Sequence, residues 1–83
     1  MEEYPFLAQA ISDVVETIRQ EKQISKSALA DFARLQRCYL REIELGTKKP
    51  TVNVIYCICE ALGIKPAKFF RLVDARIETL KAE

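Results

Sequence analysis

The 83 residues of this chain include two glycines, and each stands directly behind an apolar run with helical spacing. Gly46 follows Leu40 and Ile43, and Gly63 follows Ile55, Ile58, Ala61 and Leu62. Glycine is costly inside a helix but tolerated at little cost in the left-handed position just past a helix end, so both placements read as helix stops. No segment shows the alternating pattern and turn chemistry of a β-hairpin. The spacing therefore predicts an all-α fold.

The remaining punctuation divides the chain into five helices. Leu7, Ile11, Val14, Val15 and Ile18 recur at steps of three and four, forming one stripe of a helix from about Pro5 to Lys22 with Pro5 in its first turn. Ser25 offers a side-chain oxygen to the free N–H groups of a short second helix, about Lys26 to Ala33, which buries Leu29, Ala30 and Ala33. Leu35 follows in a tight connection, and a third helix from about Arg37 to Leu45 turns Leu40 and Ile43 inward. Thr51 caps a fourth helix, and Pro66 opens a fifth, whose inward or partner-facing residues are Phe69, Phe70, Val73, Ile77 and Leu80.

Hydrophobic residues make up 49% of the chain and charged residues 30%, enough apolar material for one core beneath a polar surface. Residues 1–83 are expected to form a single folding unit that works through its surface. Asn53 and Glu60 break the richest apolar stretch, Val52 to Ile64, below membrane-spanning length, and Glu2 and Glu3 stand where a basic signal-peptide start would be. The expected location is the cytoplasm, with no membrane partner.

Catalysis and metal binding find little support. Histidine is absent, no nucleophile and base are paired, and the carboxylates show no catalytic spacing, so no enzymatic activity and no cofactor are expected. Cys57 and Cys59, two residues apart on a helix, point to different faces and cannot grip one metal together. They read as small buried hydrophobes in a reducing compartment.

The net charge of +1 says little about partners, but its distribution does. Between Arg19 and Lys49, Arg19, Lys22, Lys26, Arg34, Arg37, Arg41, Lys48 and Lys49 outnumber Glu21, Asp31, Glu42 and Glu44, while other acidic residues gather near the termini. Within this basic stretch the second and third helices are short and about three residues apart, which forces a sharp angle and leaves the third projecting. A helix presented this way fits the major groove of DNA, giving a helix-turn-helix motif at about residues 25 to 45.

An ordered set of residues carries a family resemblance over about Ile18 to Phe70: Ile18-Arg19-Gln20-Glu21-Lys22, Ser25, Leu29-Ala30, Leu40, Ile43-Glu44, Gly46, Pro50-Thr51 and Ala61-Leu62-Gly63-Ile64. The chain resembles the lambda-repressor-like, or xenobiotic-response-element, family of helix-turn-helix regulators. Within it, Arg37-Cys38-Tyr39 and Phe69-Phe70 are most similar to the short controller proteins of restriction-modification systems. The chain departs from the family at Arg34, where Gly or Asn usually accepts a positive φ, at Gln36, where Ser or Thr usually caps, and at Lys26, which replaces a common Gln.

The resemblance implies a five-helix DNA-binding domain that regulates transcription as a homodimer. Its third helix would read a near-palindromic operator, with consequences for RNA polymerase, at the nucleoid. Arg37 and Arg41, one turn apart, are the expected base readers together with Gln36, Cys38 and Tyr39, because an arginine fork matches guanine O6 and N7. Lys26, Lys48 and Lys49 are the expected phosphate anchors. Arg19 and Glu44 correspond to a family pair that bridges the first helix to the third. The last helix, about 66 to 81, would dimerise through Phe69, Phe70, Val73, Ile77 and Leu80. The competing class is a helical protein-interaction module such as an antitoxin, which duplex binding would separate from a regulator.

Overall fold

The protein is described here by a computed structural model covering residues 3–83. Five helices follow in order: α1 (Leu7–Glu21), α2 (Lys26–Ala33), α3 (Arg37–Glu44), α4 (Val52–Leu62) and α5 (Pro66–Ala82), with no strand among the described residues. The caps are those the side chains offer. Ser25 Oγ accepts from the Ala28 N–H at 3.0 Å and Thr51 Oγ1 from the Val54 N–H at 3.1 Å, each satisfying an orphan donor of a first turn. Gly46 (φ 76°) and Gly63 (φ 71°) take the left-handed backbone expected of them.

Three non-glycine residues do so as well: Phe6 (φ 66°), Gln23 (φ 57°) and Arg34 (φ 59°). Phe6 corrects the start of α1. The chain turns at Pro5 and Phe6, and the helix begins at Leu7, so Pro5 lies outside the first turn. Arg34 closes α2 in a left-handed cap, its N–H reaching the Asp31 carbonyl at 3.2 Å and the Leu35 N–H reaching Ala30 at 2.9 Å. The turn thus keeps the geometry a glycine would take, despite the steric cost of a Cβ.

α1 lies against α5 and α3, α2 against α4 and α3, and α4 meets α5 at the other side of the core. Phe69, Leu29, Leu40, Ile43, Ile58, Leu62, Val15 and Cys59 are fully buried at the centre. Burial of a side chain such as Phe69 contributes about 1.5–3 kcal/mol. The arrangement corrects the reading of α5 as a dimer surface: Phe69, Val73 and Ile77 face inward, buried in the chain's own core with the stripe of α1. An ion pair, Arg76 Nε to Asp13 Oδ2 at 2.8 Å, closes the α1–α5 contact at its edge. Of the five expected dimer residues, only Phe70 and half-buried Leu80 keep surface.

Candidate nucleic-acid interface

α3 is amphipathic over two turns. Leu40 and Ile43 are buried, while Arg37, Cys38 and Arg41 are exposed on the opposite side and Tyr39 is half-buried between. Gln36 precedes the helix in an extended conformation and makes no side-chain cap. The first N–H groups of α3 therefore have neither an intrahelical acceptor nor a side-chain cap, a geometry that favours an approaching anion. Cys38 Sγ sits 3.8 Å from Gln36 Oε1, a weak local contact at the same end.

Arg37 and Arg41 line one groove with Lys26 and Ser27 of α2 and with Glu16 of α1. The fold thus brings Lys26, distant in sequence from the two arginines, onto the face they occupy. Lys48 lies on the other flank of α3, 3.6 Å from Glu42 Oε2 and 5.8 Å from the centre of the Tyr39 ring. Lys49 reaches Glu3 at 3.3 Å. Both lysines are exposed, so these contacts are weak and exchangeable.

Behind the face, Arg19 Nη2 meets Glu44 Oε1 at 3.2 Å, and Arg19 Nη1 donates to the Ile24 carbonyl at 3.1 Å. Both residues are buried, so the pair joins α1 to the last turn of α3 away from solvent. The fork is incomplete: Arg19 Nε and Glu44 Oε2 are buried without a partner among the described residues. Its geometric value is greater than its contribution to stability, because desolvation offsets much of the attraction.

Sequence reasoning passed over Ser12, Glu42 and Thr47. Ser12 Oγ donates to the Glu44 carbonyl, and Thr47 Oγ1 donates to the Glu42 carbonyl at 3.1 Å. A signal for Ser12 existed, since it lies seven residues before Arg19 and so shares its face of α1. Glu42 gave none, because an acidic residue on a solvated helix face is commonplace.

The cysteines divide by environment. Cys59 is fully buried, and burial pushes its thiol up to about 11, so it stays protonated and inert; Cys57 is half-buried and Cys38 exposed. No group of three or more potential metal ligands occurs among the described residues. Nor is any helix there long and apolar enough to cross a membrane.

Comparison with known proteins places this geometry. The sequence pattern of the helix-turn-helix family matches residues 15–69. The chain is 33% identical over 51 residues to the immunity repressor protein of Bacillus phage phi105, an alignment covering 61% of this chain and 35% of the repressor. It therefore spans about a third of that relative's length. Among solved structures, the clp gene regulator ClgR from Corynebacterium glutamicum superposes with a TM-score of 0.88 at 25% identity, covering 96% of this chain and 85% of that one. The restriction-modification controller protein C.Esp1396I gives a TM-score of 0.81 at 28% identity over 89% of this chain and 95% of the other. C.Esp1396I is also known as a tetramer in complex with its natural 35-base-pair operator, which aligns with a TM-score of 0.82 at 28% identity, covering 89% of this chain and 97% of that one.

Proposed function

The chain belongs to the lambda-repressor-like helix-turn-helix family, and from that premise we propose that it binds double-stranded DNA in a sequence-specific manner and regulates transcription as a homodimer. The observation that carries this reading is the asymmetry of α3. Its last turn is bound to α1 through Glu44, while Arg37, Cys38 and Arg41 stand exposed, with Lys26 in the groove that Arg37 and Arg41 line and Lys48 on the other flank. Arg37 and Arg41 read base edges, with Gln36, Cys38 and Tyr39 as neighbouring contacts, and Lys26, Lys48 and Lys49 hold phosphates. The likeness to C.Esp1396I supports the same use of the fold here.

Two copies set half-sites about one helical turn apart, so the operator is nearly palindromic. In place of the buried residues of α5, the dimer surface we assign is the one where α4 meets α5. Tyr56, Ile64 and Pro66 line one depression there, and Phe70 stands one turn beyond Pro66 on the same side of α5. Leu80 contributes at most its half-buried edge. No chemical step belongs to this reading. The protein acts at the nucleoid, in the cytoplasm, by recruiting or blocking RNA polymerase according to operator position.

Selection of bound duplexes from random DNA tests the proposal. Recovery of one near-palindrome is the expected result. Failure to enrich any sequence would contradict the reading and favour a helical protein-interaction module.

A further inference from the structure

The last turn of α3 is tied to α1 by polar groups, and the one that bonds its backbone is a serine. The last four carbonyls of an α-helix lack intrahelical donors and must find others. In α3 the Arg41 carbonyl accepts from the Leu45 N–H at 2.9 Å, Ile43 from Gly46 at 3.0 Å, and Glu42 from Thr47 at 3.0 Å. The fourth, Glu44, accepts from the hydroxyl of Ser12 on α1. Ser12 is 3% exposed, set between Ile11 and Val14 in the apolar stripe. A buried hydroxyl requires a partner, and a serine inside a helix ordinarily bonds back to its own preceding turn. Here it reaches across to the end of another helix instead.

We propose that Ser12 is a positioning residue that fixes the angle at which α3 meets DNA. The inference rests on the functional reading above and deepens it. The Arg19–Glu44 pair grips α3 through a flexible side chain, whereas Ser12 grips the main chain itself, so Ser12 constrains tilt more directly. Arg37 lies seven residues from this pivot, an arm of about 10 Å at 1.5 Å rise per residue. A tilt of about 6° then displaces Arg37 by about 1 Å, wider than the whole hydrogen-bond distance range of about 2.7–3.2 Å. A bidentate contact to guanine does not survive that displacement. Phosphate contacts from the mobile, exposed lysines do, because a long side chain follows the phosphate.

The test compares Ser12→Ala with the wild-type protein on a selected operator and a scrambled duplex of equal length. Both are measured well below the melting temperature, with helicity checked by circular dichroism. Ser12→Ala is expected to lower the ratio of operator to scrambled affinity about tenfold while leaving scrambled affinity unchanged. Ser12→Thr, which keeps the hydroxyl, is expected to restore the ratio. A lowered melting temperature with an unchanged ratio would overturn the proposal, as would equal weakening on both duplexes or a failure of Ser12→Thr to restore. If Ser12→Ala does not fold, Ser12→Cys serves, with similar size and a weaker donor. It must lose part of the ratio, and full retention overturns the idea. A wild-type protein that discriminates no duplex at all refutes the functional reading itself, before any variant is made.

Discussion

Arg34 holds a left-handed backbone at the corner between α2 and α3, where a Cβ crowds the following carbonyl at a cost of about 1–2 kcal/mol. Its side chain offsets little of this, since the contact to Glu60 is 3.8 Å long with both groups exposed. Arg34→Gly removes the strain and raises chain entropy in the unfolded state, a loss of about 0.5–1 kcal/mol. The variant should therefore gain about 0.5–1 kcal/mol, read as a higher urea midpoint at unchanged slope, whereas Arg34→Ala should gain none. A midpoint that falls for Arg34→Gly would mean that the turn is held by contacts of the arginine itself. The two glycines announced their conformation in the sequence because no cheaper use of Gly fits those positions. Phe6 and Gln23 did not, since neither is a residue type that favours the left-handed region; Gln23 takes it where the chain leaves α1, its N–H on the Gln20 carbonyl and the Ile24 N–H on that of Arg19. The exposed base-reading candidates were legible from helical phase alone: once Leu40 and Ile43 face inward, Arg37, Cys38 and Arg41 must face out.

At the scale of elements, the junction of α1 and α3 carries the claim that orientation and stability are separable. Removing Arg19 alone leaves Glu44 as a buried unpaired carboxylate, a loss of about 3–5 kcal/mol. Arg19→Ala and Glu44→Ala should therefore couple by about 1 kcal/mol or more in a double-mutant cycle. Replacing both partners by apolar residues, Arg19→Met with Glu44→Leu, is expected to keep the melting temperature near that of the wild type while lowering operator discrimination. A cycle without coupling, or a double replacement that discriminates as well as the parent, would remove the orienting role. The pair was legible because the family resemblance names both residues, and Ser12 was overlooked because a small polar residue in an apolar stripe passes for a surface position. α5 shows the other limit of sequence reading. Its stripe of Phe69, Val73 and Ile77 marks a buried face, but periodicity does not say whether the cover is the chain's own α1 or a second copy.

For the whole molecule, the apolar surface left outside the core decides how two copies meet. Phe70→Glu should leave a folded monomer, because Phe70 is 37% exposed, whereas Phe69→Glu should unfold the chain, because Phe69 is 0% exposed. Sedimentation at micromolar concentration reads both outcomes, and a Phe70→Glu variant that remains dimeric would move the interface elsewhere. The loss of the dimer also removes the effective concentration that one half-site confers on the next, so operator binding should weaken even though every DNA contact remains. The central claim, that α3 reads base sequence while flanking lysines hold the backbone, is tested most directly by salt titration of single alanine variants on operator and scrambled duplexes. Arg37→Ala and Arg41→Ala should cost about 1–3 kcal/mol on the operator and much less on the scrambled duplex. Lys26→Ala, Lys48→Ala and Lys49→Ala should weaken both duplexes alike and lower the log–log salt slope by about one unit for each lost contact. If Arg37→Ala and Arg41→Ala instead weaken both duplexes equally, these arginines are phosphate contacts, and the account of α3 as a helix that reads sequence through them is contradicted.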